Sequence, residues 1–155
     1  HNTTLDSNIL TGNSVGIYLM YSNSIHLTGN QMVNNRGASG YGIGLKDCDN
    51  ITIDHNALLA NRVGVYLDNS PSSVGSTGLF EGNLIAFNEI GLLVTPNTHD
   101  NVFTGNAFIE NEQSAATHGR GQLTNNAFAR DPVGNYWSDY AGIDLDHDAI
   151  DDRHS

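Results

Sequence analysis

Cysteine is almost absent. Cys48 stands alone, so the chain can close no internal disulfide. Positive charge is also scarce: 6 Lys and Arg face 17 Asp and Glu, a net charge of −11. Phosphate contacts need clustered cations, so the balance excludes nucleic acid as a partner and fits an extracytoplasmic protein. No run approaches the ~20 apolar residues of a membrane-spanning helix. His1-Asn2-Thr3-Thr4 opens on polar residues, not on the basic and apolar regions of a secretory leader.

What the chain has instead is asparagine and glycine in periodic array. Asn8, Asn30, Asn56, Asn83, Asn106 and Asn126 are separated by 22, 26, 27, 23 and 20 residues. Five residues after each stands Asn13, Asn35, Asn61, Asn88, Asn111 or Asp131. Three before each is an apolar residue (Leu5, Leu27, Ile53, Phe80, Phe103, Leu123), and two after each is another (Leu10, Met32, Leu58, Ile85, Phe108, Phe128). Four rungs continue into a glycine-led strand: Gly16-Ile17-Tyr18-Leu19, Gly42-Ile43-Gly44-Leu45, Gly64-Val65-Tyr66-Leu67 and Gly91-Leu92-Leu93-Val94. The longer spacings coincide with insertions at Gly37–Ser39 and at Pro71–Gly78, the second reading as a protruding loop.

A period of roughly 20–25 residues marks a solenoid. Short period-two runs such as Ile51-x-Ile53 and Val65-x-Leu67 make it a β-solenoid, and the spacing of a leucine-rich repeat is missing. The expected fold is all-β: a right-handed parallel β-helix of about six rungs, three short strands per rung. Residues 1–131 form the coils and 132–155 a C-terminal aromatic cap with an acidic tail. Asn is expected at left-handed corners, its amides stacking along the axis. Phe80 should stack on Phe103, and Phe108 on Phe128. The N-terminal end is expected open.

Function in such a rod sits on outward columns. One reads Arg36, Arg62, Glu89, Glu112, an expected ion-pair ladder. Another contains Asp54 and Glu81 one rung apart, the pair that a glycosidase mechanism would use if a cleft enclosed them. A third carries Tyr18 and Tyr66 with Gly44 between, an aromatic face for a sugar or a protein partner. His26 and His55 fall in different columns and are expected to lie apart. Met20, Met32 and Cys48 share no column either, so no closed zinc or copper site is read from the coils.

Beyond Asp131-Pro132 the pattern changes to Gly134-Asn135-Tyr136-Trp137-Ser138-Asp139-Tyr140, then Asp144, Asp146, Asp148 and Asp152. Tyr136, Trp137 and Tyr140 could seal the end of the core. This Trp-centred string after Asn-rich coils resembles the NosD family, β-helix proteins of the carbohydrate-binding and sugar-hydrolase type. The resemblance implies a non-enzymatic periplasmic accessory that helps an ABC transporter supply copper for nitrous oxide reductase maturation. It implies copper as a cofactor or cargo, and transporter or reductase components as partners that meet Tyr18, Tyr66 or Trp137. The family's tail resembles D-x-D-G-D-G-I-G-D, a calcium-loop-like run. The alternate Asp144, Asp146, Asp148 and Asp152 are the candidate Ca2+ ligands that the resemblance implies, although His147, Ala149 and Asp151 here replace the glycines and strain the turn. The alternative is a polysaccharide-binding protein, or a lyase, hydrolase or epimerase acting through Asp54 and Glu81. One lysine and no acid trio in adjacent columns argue against it.

Overall fold

The structure is a computed structural model, described for residues 2–117, 126–128 and 134–138. Every element in it is a strand. The first coil contains β1 (Thr3–Asp6), β2 (Ile9–Thr11) and β3 (Ile17–Met20). The second contains β4 (Asn23–Thr28), β5 (Gln31–Val33) and β6 (Tyr41–Lys46). Next come β7 (Asp49–Asp54), β8 (Ala57–Leu59) and β9 (Val63–Asp68), then β10 (Gly78–Glu81), β11 (Leu84–Ala86) and β12 (Ile90–Val94). The fifth coil has β13 (Asn101–Thr104), β14 (Ala107–Ile109) and β15 (Gln113–Thr117), and β16 (Tyr136–Trp137) opens a sixth. All pairings are parallel, between strands one coil apart, in the order β1-β4-β7-β10-β13, β2-β5-β8-β11-β14-β16 and β3-β6-β9-β12-β15. The chain is therefore a parallel β-helix of about five turns, three strands to a turn; crossovers of this kind are right-handed.

Register follows the apolar columns. Leu5, Leu27, Ile53, Phe80 and Phe103 align in the first sheet, and Leu10, Met32, Leu58, Ile85 and Phe108 in the second. Except for Leu5 and Leu10, which pack partly buried against the core in the first coil, these side chains are completely buried. A one-residue slip would turn every one of them to water, so burial pins the register.

The asparagines form two continuous ladders. In the first, Asn8, Asn30, Asn56, Asn83 and Asn106 each donate a side-chain amide to the Oδ1 of the next coil's Asn, at 2.8–3.0 Å for four of the five steps and 3.1 Å for Asn56 to Asn83. That same Oδ1 accepts the backbone N–H of the Asn before it. The second ladder runs Asn13, Asn35, Asn61, Asn88, Asn111. Each buried amide thereby satisfies backbone groups that a tight corner leaves without a strand partner.

Two expectations are corrected. The left-handed residue is not the ladder Asn but the one before it: Ser7, Gly29, His55, Gly82 and Gly105 at one corner, Gly12, Asn34, Ala60, Phe87 and Glu110 at the other. The corner residue makes the turn, and the Asn that follows bonds it to its neighbours. The last rung is also shifted. Asn126 stacks on Asn101 and Phe128 on Phe103, at a ring separation of 5.1 Å. The ladder above Asn106 is continued by Asn135, and Trp137 covers Phe108 at 4.1 Å.

Candidate functional site

The outward face of the third sheet carries the tyrosines. Tyr18 aligns with Gly44, and Gly44 with Tyr66. Gly44 is required here, because a Cβ would strike the Tyr18 ring. Sequence reasoning missed Tyr41. Strict alternation puts it on the same side as buried Ile43, but the strand's alternation breaks at Gly42. Its ring instead joins the outer stack, 6.1 Å from Tyr18 and 4.6 Å from Tyr66, with interplanar angles of 23° and 16°. The ring faces are turned toward one another along the rod, so edges and hydroxyls meet solvent. The stack therefore occupies both faces of Tyr41 and one face each of Tyr18 and Tyr66. Burial pushes the Tyr66 phenol up to about 12, with the Asp68 carboxylate adding to the shift. Burial raises Tyr18 likewise. Both phenols therefore remain neutral donors through the physiological range. Exposed Met20 and Tyr21 extend the patch, and a Lys46–Asp68 ion pair borders it.

On the first sheet Asp54 and Glu81 are aligned neighbours, with Thr28 and Thr104 beyond them. Asp54, however, is committed to histidines. His26 Nε2 lies 2.7 Å from one carboxylate oxygen and His55 Nδ1 2.9 Å from the other, and the Thr28 hydroxyl donates at 3.2 Å. The expectation that His26 and His55 lie apart is thus corrected: different columns still meet when a carboxylate between them is within reach of both. Burial alone would raise Asp54, but hydrogen bonds from His55, His26 and Thr28 outweigh it and hold the carboxyl below its ordinary value. A shallow hollow of about 300 Å³ adjoins His26, lined also by Ser24, Ile25, Asn50 and Thr52.

The remaining candidates are dispersed. Arg36 reaches past Arg62 to pair with Glu89 at 2.7 Å, while Arg62 Nε donates to the Ser39 carbonyl. Asp49 anchors the loop after β9: its oxygens accept the N–H groups and hydroxyls of Ser72 and Ser73. These bonds outweigh burial and lower the Asp49 carboxyl. Cys48 is buried, and desolvation keeps its thiol protonated to higher pH than usual. Trp137 is 4% exposed, and its indole N–H has no partner among the described residues. Asp144, Asp146, Asp148 and Asp152 lie outside the described residues. Among those described, no group of three or more His, Cys, Asp or Glu is arranged to hold a metal ion, and no helix is long and apolar enough to cross a membrane.

Residues 1–142 match the family described as "Periplasmic copper-binding protein (NosD)". A relative from Pseudomonas aeruginosa, named "Probable ABC transporter binding protein NosD", is 39% identical over 72 residues, which are 46% of this chain and 16% of the relative. The chain therefore matches only a small part of that relative's length. No solved structure matches the chain. With coils, ladders and the Asn135-Tyr136-Trp137 rung all inside the matched range, the chain belongs to the NosD family of periplasmic copper-binding proteins.

Proposed function

We propose that this chain is a non-enzymatic accessory module that assists copper delivery for nitrous oxide reductase maturation, working with an ABC transporter. The observation that carries the reading is the family match across nearly the whole β-helix. The relative's name, an ABC transporter binding protein, supports a protein partner. Copper in this role is cargo. The described residues offer imidazoles and a carboxylate, but the one cysteine is buried and Met32 is fully enclosed, so a closed set of soft ligands does not converge. Side chains of a partner would complete any copper site.

The docking face we assign is the Tyr18–Tyr41–Tyr66 stack with Met20 and Tyr21. Tyrosine and methionine are enriched at interface cores, and the β-helix holds these rings rigid before any partner arrives. Immobilised full chain should retain the cognate transporter and reductase components, and Tyr18→Ala with Tyr66→Ala should release them. Undiminished retention by that double variant would remove the assigned face. Failure of the unaltered chain to bind either component would remove the accessory reading.

A further inference from the structure

We infer that the outward face of the second sheet is a self-association surface, on which a second copy of this chain packs about a two-fold axis. The inference does not rest on the accessory reading, whose tyrosines stand on the third sheet. In register across β2, β5, β8, β11, β14 and β16, one outward column reads Ile9, Gln31, Ala57, Leu84, Ala107, Tyr136. The other begins at Thr11 and is apolar from Val33 to Ile109. Among the described residues of these two columns none is charged, although the chain carries 17 acids and 6 bases. Charges resume past the corners, at Glu81 on one side and at Glu89 and Glu110 on the other. Ile9, Leu84 and Tyr136 are 68%, 37% and 48% exposed. An apolar strip of this kind on so acidic a chain marks a contact surface.

Phe87 is the anchor. It occupies the left-handed corner that ends this face, φ 60°, and is 58% exposed. Gly12 and Asn34, residues that this conformation favours, stand at the same corner in the first two coils. A phenylalanine there is strained and also left in water, and the β-helix needs neither. Burying the ring against a second copy offsets both. Leu84 is a ridge between two alanines, Ala57 and Ala107, so the face carries dents as well as knobs. About a two-fold axis, Phe87 of each copy enters a dent of the other, and the same patch serves both copies. The period matches too: ridges one strand apart, ~4.8 Å, mesh with ridges of equal spacing on another β-sheet. The described columns set no like charges against each other, as Asp54 and Glu81 would across the first sheet. The strip covers roughly 300 Å² in projection, six strands wide and about four residues deep. That is well under the ~800 Å² per partner of a standard interface, so the dimer is weak and forms at high protein concentration.

Sedimentation equilibrium of the full chain, from low micromolar to millimolar concentration and at low and high salt, tests this. Monomer should give way to dimer as concentration rises. Salt should favour the dimer, because it screens the repulsion between two chains of net charge −11. Phe87→Gly should weaken association roughly tenfold or more and still fold, since glycine fits the left-handed corner. Ala107→Glu, which fills a dent with a charge, should weaken it likewise. Tyr18→Ala with Tyr66→Ala should leave it unchanged. A monomer throughout the range at high salt would overturn the inference. So would association that Phe87→Gly leaves intact, or growth beyond the dimer, since a two-fold face closes at two copies. A chain that stays monomeric, and that loses a transporter or reductase component on Phe87→Gly, would give this face to that component and remove the second copy from it.

Discussion

At the residue scale, the ladder asparagines do more than any other polar side chain. Asn56 donates to the Leu27 carbonyl at 2.8 Å and to Asn83, and accepts the backbone and side-chain N–H groups of Asn30. Asn56→Ala leaves several of these buried groups without partners, so it should cost ~1–3 kcal/mol in urea denaturation. The two depressed carboxyls make a second expectation. Asp49 and Asp54 sit below their ordinary values in the folded chain. A group whose folded pKa is lowered adds stability above its unfolded pKa and loses it as pH falls through the folded one. Stability should therefore decline as pH drops below about 4, the ordinary carboxylate range. Thermal melts of Asp49→Asn and Asp54→Asn across that range should show a shallower acid limb.

At the scale of elements, β16 carries the second sheet one strand beyond β14. Asn135 bonds to the Phe103 and Phe128 carbonyls as well as to Asn106, and the strand it leads brings Trp137 over Phe108. Asn135→Ala should loosen that strand and let water reach the indole. Tryptophan emission, reporting a single buried Trp, should shift to the red in this variant before the chain unfolds. Unchanged emission would place the indole's burial on Phe108 and Phe128 alone. The glycine column at the start of the third sheet is a related constraint. A Cβ on Gly64 would stand 2.6 Å from the Gly91 carbonyl oxygen, and one on Gly91 equally close to that of Ser114. The strands there approach so closely that only hydrogen fits.

For the whole molecule, the decisive quantity is the net charge of −11. Two copies repel, while a basic partner is drawn in. The tyrosine face is bordered by Asp68 and Lys46, already paired with each other. Binding of a transporter or reductase component at this face should weaken as ionic strength rises, mainly through a slower association rate. Stopped-flow measurements at low and high salt would check it; a salt-independent rate would assign the recognition to the apolar ring edges alone.

The sequence by itself determined the solenoid, its period, the inward columns and the two asparagine ladders, because each depends on a residue type recurring at fixed spacing. It also made Tyr18 and Tyr66 neighbours across Gly44 by the same logic. Only the tertiary structure decided where the last rung belongs. Asn101-x-Phe103 and Asn106-x-Phe108 share one local grammar, so Asn126-x-Phe128 fits either corner in one dimension. Stacking in three dimensions gave it to Asn101 and gave Asn106 to Asn135. The third tyrosine and the His26–Asp54–His55 group were likewise hidden. Column arithmetic places Cα atoms, whereas these contacts arise from a broken alternation at Gly42 and from side chains long enough to bridge columns. Backbone periodicity is legible in a string of letters; side-chain reach is a property of the folded surface.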